Sequence, residues 1–153
     1  MKTDNDILVI SFHLSLITYS EDKKMEHQIN TGRDAAIRLT MMPRDTNAHG
    51  TVFGGVILSY IDVAGGVESI RHTKHNRFVT VAMKEVIFHE PVYIGDLVSF
   101  YARTVKVGNT SIAIHVDVEA ERFGTPGQVV KVTEAQVTFV AIDGNGKKVK
   151  IGK

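Results

Sequence analysis

Apolar residues recur every three to four positions between Gly54 and about His72, which is the spacing of an α-helix with a buried face. They are Val56, Tyr60, Val63, Val67 and Ile70, with Ile57, Ile61 and Ala64 beside them. The apolar arc is wide, so the pattern predicts a helix that is buried on more than one side. Gly65 and Gly66 lie inside this helix, where each glycine costs about 1 kcal/mol relative to alanine. We expect a close approach of the helix backbone to a neighbouring strand or subunit to offset that cost.

The remaining chain is typical of β-strands. The composition predicts a short strand at residues 37–41 and long strands at 78–88, 96–106, 111–122 and 129–142. The third long strand alternates most clearly. One face has Ile112, Ile114, Val116, Val118 and Ala120, and the other has Ala113, His115, Asp117, Glu119 and Glu121. One side of the sheet is therefore expected to face water. The pattern as a whole predicts an α+β fold, a long antiparallel β-sheet wrapped around one central α-helix.

Composition narrows the class of protein. The 153 residues suit one domain, and 43% hydrophobic residues are enough for a core. The formal net charge is +1 and the cations are scattered, which argues against a nucleic-acid binder. There is no cysteine, so disulfides, thiolate zinc sites and cysteine nucleophiles are excluded. A reducing cytoplasm is compatible with this composition, and we expect a cytoplasmic protein.

The amino-terminal segment is a separate question. Residues 7–19 are apolar, but they fall short of the roughly 20 residues that a membrane span needs. The flanking MKTDND is net acidic, unlike the flank of a secretory signal. Two interpretations stay open: an added strand or amphipathic appendage, and a start-site artefact with Met25 as the natural start. We predict an amino-terminal extension at residues 1–30, a domain at 31–153 and no membrane span.

The run DTNAHGTVFGG at positions 45–55, followed by a hydrophobic helix, carries the most specific signal. It resembles the hotdog-fold acyl-CoA thioesterases, and most closely the YciA-like branch, which also includes domains of the acyl-CoA hydrolases of animals. The resemblance extends from about residue 38 to 142. Later parts of it are VTV at 79–81, FxxPV at 88–92, GD at 95–96, YAR at 101–103, GNTSI at 108–112 and TEA at 133–135.

This resemblance implies a fold, an activity and an assembly. The fold is the hotdog fold, and the activity is hydrolysis of acyl-CoA to a fatty or other carboxylic acid and CoA. Asp45 matches the catalytic carboxylate, and Asn47 matches a catalytic or supporting asparagine of some relatives. Two protomers pair their sheets edge to edge with active sites at the interface, and YciA-like members commonly form hexamers as trimers of dimers. Phe53 stands where a neighbouring branch has histidine, which favours the YciA-like assignment.

Thioester chemistry explains why one carboxylate suffices. A thiolate is a good leaving group because free thiols titrate near 8.5, so a strong general acid is not needed. Asp45 could act as a general base on water or attack the carbonyl itself, and the sequence leaves both roles open. Gly55, with Gly54, is predicted to lie at the helix amino terminus, where free N–H groups could stabilise the oxyanion.

Contacts to the CoA moiety are predicted in two places. Backbone N–H groups and hydroxyls suited to phosphate or pantetheine belong to Gly108, Asn109, Thr110 and Ser111. An ordinary hairpin turn explains these four residues equally well. Thr80 and Val81, on a predicted sheet edge, could bind pantetheine through the main chain. The candidate cations for the phosphates, which are unranked, are Arg103, Lys106, Arg122 and Lys131. The candidate side chains for the depth of the acyl tunnel are Tyr60, Met83 and Phe88.

Other interpretations are kept beside this one. Asn47 could simply brace the loop, His49 could be a solvated histidine, and Asp62 is interpreted as structural. His72 and His75 are better explained by a helix carboxyl end than as a metal pair, since no third ligand follows from the spacing. We expect no metal, and no cofactor apart from the CoA of substrate and product. A hotdog dehydratase and a non-catalytic acyl-CoA sensor are the competing functions, and a sensor has no need of a carboxylate at position 45.

Overall fold

The computed structural model describes residues 33–151. The elements are β1 (Ile37–Thr40), a 3₁₀ turn (Pro43–Asp45), α1 (Gly54–Thr73), β2 (Phe78–Phe88), β3 (Leu97–Val107), β4 (Ser111–Glu121) and β5 (Val129–Ala141). Each predicted helix and strand is present, with its ends within one residue of the predicted bounds. The predicted extension at residues 1–30 lies outside the described residues, as does its apolar segment at 7–19. None of the helices in the described part is long and apolar enough to cross a membrane.

The five strands form one antiparallel sheet in the order β1-β3-β4-β5-β2. Helix α1 packs on one face of this sheet and contacts β2, β3, β4 and β5. The side chains of β4 that were predicted to face the core are all buried: Ile112, Ile114, Val116, Val118 and Ala120. The opposite face of β4 is half-buried and polar. The prediction of a sheet wrapped around one helix is confirmed.

Helix α1 approaches the sheet most closely at Gly65. A Cβ atom built on Gly65 would lie 2.7 Å from Cε2 of Phe139, which belongs to β5. Any side chain at this position would push the helix away from the sheet, which explains the first of the two helical glycines. A Cβ on Gly66 would meet nothing within 4 Å among the described residues. The second glycine is therefore not explained by packing within these residues.

Strand β2 forms one edge of the sheet, and within residues 33–151 only β5 pairs with it. Val81 and Ile87 on this strand are 55% and 60% exposed. The pairing with β5 shifts register after Thr80 and again after Lys84, and Glu85 has a positive φ of 59°. An edge strand with exposed apolar residues is a surface suited to pairing with another strand.

A buried ion pair fixes the loop between β2 and β3 against the hairpin between β4 and β5. Asp96 has only 3% of its side chain exposed, and its Oδ2 accepts a bond of 2.7 Å from Nη1 of Arg122. The same carboxylate accepts backbone N–H bonds from Tyr93 and Phe123. Arg122 also donates to the carbonyl oxygen of Pro91 at 2.7 Å. This network holds the 91–96 loop against the residues that follow β4, and a bond of 2.8 Å from the Val52 N–H to the Val92 carbonyl joins the loop to the segment before α1.

Candidate active site

Asp45 ends the 3₁₀ turn that leads from β1 toward the helix. Its Oδ2 accepts a bond of 2.8 Å from the backbone N–H of Met42, and its side chain is 17% exposed. The Nε atom of Arg44 is 3.9 Å from Oδ1. The backbone carbonyl of Asp45 accepts a bond of 2.8 Å from the N–H of Phe53. The carboxylate is therefore held in a mostly sheltered position, one backbone hydrogen bond away from the residue that precedes the helix.

Asn47 braces the loop between Asp45 and the helix. Its Oδ1 accepts N–H bonds from His49 at 2.8 Å and Thr51 at 3.3 Å, and its Nδ2 donates to the Thr51 hydroxyl at 2.9 Å. Both the oxygen and the nitrogen of the side-chain amide are therefore hydrogen-bonded within the loop. The bracing interpretation of Asn47 accounts for this geometry, and a catalytic contribution of Asn47 stays a prediction.

The helix begins at Gly54 without a side-chain cap on its N-cap residue, Phe53. Within residues 33–151, neither the Gly54 nor the Gly55 amide has a hydrogen-bond acceptor. Such free N–H groups lie at the positive end of the helix macrodipole, where they attract negative charge. The Phe53 ring covers Gly55 so closely that an added Cβ would lie 2.3 Å from its Cε1 atom. Only glycine fits beneath the ring in this arrangement.

The middle of the helix carries a second carboxylate, Asp62, which sequence reasoning treated as structural. The Thr80 hydroxyl of the edge strand β2 donates a hydrogen bond to Asp62 Oδ1. This bond joins one of the predicted pantetheine contacts directly to the helix. Val81, the other predicted contact on β2, is exposed at the same edge.

The predicted CoA turn at residues 108–111 lies at the opposite end of the helix. A cleft of about 880 Å³ is lined there by Thr73 and Lys74 of the helix end together with Gly108 and Asn109. Helix α1 has 20 residues, and at 1.5 Å per residue it is about 30 Å long. The structure therefore does not bring Asp45 and Gly55 together with the 108–111 turn within one protomer.

Two of the four candidate cations already have carboxylate partners. Arg122 pairs with buried Asp96, and the Nζ of Lys131 lies 2.9 Å from Oε2 of Glu134. The hydrogen bond from Lys131 holds the pKa of the Glu134 carboxyl below its ordinary value. Arg103 is exposed. Arg122 in particular serves the fold, so it is a poor candidate for binding the CoA phosphates.

Sequence reasoning did not single out a polar cluster on the face of the sheet opposite the helix. His115 Nε2 lies 3.2 Å from Asp117 Oδ1 and 3.7 Å from Glu134 Oε2. The alternation of β4 places the first two residues on one face, but only the pairing of β4 with β5 brings Glu134 beside them. The carboxylates also have Arg33 and Lys131 as cationic partners. These pairs explain the cluster as an ion-pair network.

The histidines near the helix end are apart from this cluster. His75 Nε2 lies 3.1 Å from the carbonyl oxygen of Ile142, and its ring packs edge-on against Phe78. His72 lines the cleft at the helix end. The contacts of His75 are those of a packed loop residue.

One long helix packed against a five-stranded antiparallel sheet is the architecture of the hotdog class of proteins. Residues 49–126 match the thioesterase superfamily. The acyl-CoA thioester hydrolase YciA of Escherichia coli (strain K12) is 39% identical over 123 residues, which cover 79% of this chain and 92% of that protein. The chain belongs to the thioesterase superfamily and, within it, to the YciA-like acyl-CoA hydrolases.

Solved structures agree with this assignment. A hexameric hotdog fold thioesterase of Campylobacter jejuni is 42% identical with a TM-score of 0.73, covering 78% of this chain and 90% of that one. A hexameric thioesterase from Yersinia pestis is 35% identical with a TM-score of 0.74, covering 80% of this chain and 98% of that one.

Proposed function

We propose that this protein hydrolyses acyl-CoA thioesters to a carboxylic acid and CoA. Asp45 is the base or nucleophile, and the Gly55 N–H, with that of Gly54, stabilises the oxyanion. The observation that carries the proposal is the hydrogen bond from Phe53 N–H to the Asp45 carbonyl. It ties the backbone of Asp45 to the residue directly before the two free amides. Membership of a thioesterase family at 39% identity to YciA supports the substrate class.

The reaction needs little else from the protein. In the general-base route, the Asp45 carboxylate takes a proton from water while the water oxygen attacks the thioester carbonyl. The negative charge that develops on the carbonyl oxygen is stabilised by the glycine N–H groups. The C–S bond then breaks, and the CoA thiolate leaves without prior protonation because a thiolate is only weakly basic. In the nucleophilic route, a carboxylate oxygen of Asp45 attacks the thioester carbonyl, the C–S bond breaks to release the CoA thiolate, and water hydrolyses the resulting mixed anhydride to free acid and Asp45. We propose that neither route needs a metal or a cofactor, and that the reaction takes place in the cytoplasm.

A second copy of the chain would complete the site. A two-fold axis that pairs two β2 edges antiparallel also makes the two helices run in opposite directions. The 108–111 turn of one copy then lies toward the helix start of the other, so one CoA could contact both sets of predicted residues. The exposed apolar residues of β2 support this pairing. We further propose that such dimers assemble into a hexamer, which is the state of the Campylobacter and Yersinia relatives.

The test is release of free thiol from a panel of acyl-CoAs, from acetyl to palmitoyl. Asp45→Asn is expected to lower kcat by about 10²–10⁴-fold, the usual contribution of a general base. The matched control is Asp34→Asn, because Asp34 is a strongly exposed aspartate whose contact to Arg71, at 3.7 Å, is long. CoA binding and oligomer mass should be unchanged in both variants. Turnover by Asp45→Asn at the rate of the control would refute the mechanism.

The competing sensor function makes a different prediction. A sensor would show binding of acyl-CoA in calorimetry, and it would release no thiol from any acyl-CoA of the panel. Size-exclusion chromatography with light scattering tests the assembly, and a monomeric enzyme with full activity would refute the shared site. Activity that disappears with a chelator and returns with metal would refute the proposal of a metal-free reaction.

A further inference from the structure

A cavity beside the helix start is continuous with the proposed oxyanion donors. It has a volume of about 370 Å³ and is lined by Gly54 together with the buried side chains Val52, Ile57 and Val92. The Val52 N–H donates to the Val92 carbonyl at 2.8 Å, so the two sides of its floor are tied together. A thioester carbonyl that reached the Gly54 and Gly55 amides would therefore lie at the mouth of this cavity.

We propose that this cavity binds the acyl chain of the substrate and that Phe88 determines the preferred chain length. The inference rests on the proposed thioesterase function and deepens it by assigning the acyl subsite. Phe88 ends β2, and its Cζ atom lies 3.5 Å from where a Cβ on Gly54 would be. Its ring therefore lines the cavity directly beside Gly54.

The floor of the cavity favours an acyl chain over the pantetheine arm of CoA, although Thr51 and His89 also line the cavity. The floor side chains Val52, Ile57 and Val92 are apolar, and they offer no side-chain partners for the two amides of pantetheine. Burying an amide without a hydrogen bond is unfavourable, whereas burying methylenes is favourable.

The volume sets the size of the ligand. About 370 Å³ is the space of roughly twelve water molecules at about 30 Å³ each. Part of this space opens to solvent, so the cavity suits short and medium acyl chains better than palmitoyl. Removing the Phe88 ring would extend the cavity, and a larger ring at this position would shorten it.

The experiment measures the affinity of S-alkyl-CoA thioethers with alkyl chains of two to sixteen carbons. A thioether has no carbonyl to attack, so its dissociation constant by calorimetry is independent of turnover. In the unmodified protein, each added methylene is expected to tighten binding about fourfold until the cavity is full, followed by a plateau. Phe88→Ala should move the plateau to longer chains, and Phe88→Trp should move it to shorter ones.

Phe123→Ala is the matched control, because Phe123 is another exposed phenylalanine that is absent from the cavity lining. Ile57→Val adds a mild change at the floor and should move the plateau by about one carbon. Affinity that does not depend on alkyl length, or a plateau that stays in place in both Phe88 variants, would overturn the inference. Failure of the proposed function would give a different result: affinity would still rise with alkyl length up to the plateau, but no acyl-CoA would release thiol.

Discussion

Replacing Asp96 by asparagine is expected to destabilise the protein far more than its place in a loop suggests. Both carboxylate oxygens are in use: Oδ2 accepts from Tyr93 N–H and Arg122 Nη1, and Oδ1 accepts from Phe123 N–H. Asparagine supplies one oxygen and one NH₂ group. One of the three N–H groups that now bond to the carboxylate would therefore point at the NH₂ group of asparagine. Arg122, with 13% of its side chain exposed, would lose its main counter-charge.

The magnitude follows from this geometry. Removing one partner of a buried ion pair costs about 3–5 kcal/mol, because the other charge remains buried. That is a large part of the roughly 5–15 kcal/mol that stabilises a typical protein. With a urea m-value of about 2 kcal/mol/M, the unfolding midpoint should fall by about 2 M. The double variant Asp96→Asn/Arg122→Met leaves no buried charge, so it should recover part of the loss.

The assay is urea unfolding followed by circular dichroism, at one fixed protomer concentration because assembly contributes to the apparent stability. Asp117→Asn is the control, since Asp117 and its partner Arg33 form a more exposed pair worth about 0–1 kcal/mol. A midpoint for Asp96→Asn within 0.5 M of the control, an order-of-magnitude threshold of about 1 kcal/mol at this m-value, would refute the reasoning. So would a double variant that is less stable than the unmodified protein by the full sum of the two single effects.

Three smaller changes test other features. Gly65→Ala should lower the free energy of unfolding by about 1–3 kcal/mol, because the added methyl group would press on the Phe139 ring of β5. Gly66→Ala is its control, since a Cβ at that position meets no described neighbour. Equal unfolding midpoints for the two variants would contradict the close approach. Lys74→Gly should stabilise by about 1 kcal/mol and raise Tm, since Lys74 ends the helix in the left-handed region at φ 62°, and an unchanged or lower Tm would count against this. Lys131→Met should raise the pKa of Glu134 toward its ordinary value of 4.5 in an NMR titration, because the Lys131 hydrogen bond is the largest cause of its lowering. A folded pKa below the unfolded one means that Glu134 contributes stability above about pH 4.5 that is lost as the pH falls through the folded pKa, and an unmoved pKa in the variant would contradict that cause.

Local periodicity was enough to predict the fold. The strict alternation from Ile112 to Ala120 predicts the inner face of β4, and that face is buried. The apolar arc from Val56 to Ile70 predicts the helix, but only Ile57, Ile61 and Ala64 of the arc are buried. Val63 and Ile70 are 53% and 44% exposed in the described part of the chain, so the prediction of burial on more than one side is wrong for these residues. The loop motif located Asp45 and the helix start, because those residues are neighbours in the chain. The resemblance to a known family then added the role of the carboxylate, which periodicity does not contain.

Contacts between residues that are far apart in the chain could not be predicted from local sequence patterns. Asp96 and Arg122 are 26 positions apart in the chain. Only the packing of two loops shows that Arg122 pairs with Asp96 inside the fold and is a poor candidate for binding the CoA phosphates. Glu134 joins His115 through the register between β4 and β5. The cavity at Gly54 likewise depends on where the end of β2 lies relative to the helix, which no local pattern encodes.

The length of the helix has a consequence for how the enzyme would respond to dilution. In the proposed dimer, each protomer would hold two half-sites about 30 Å apart, since the 20-residue helix separates them. An acyl-CoA bound across two copies would find no complete site on an isolated chain. Specific activity should then fall once the protein concentration drops below the dissociation constant of the dimer, while each chain stays chemically intact. Catalytic output would follow the number of associated pairs and not the number of chains.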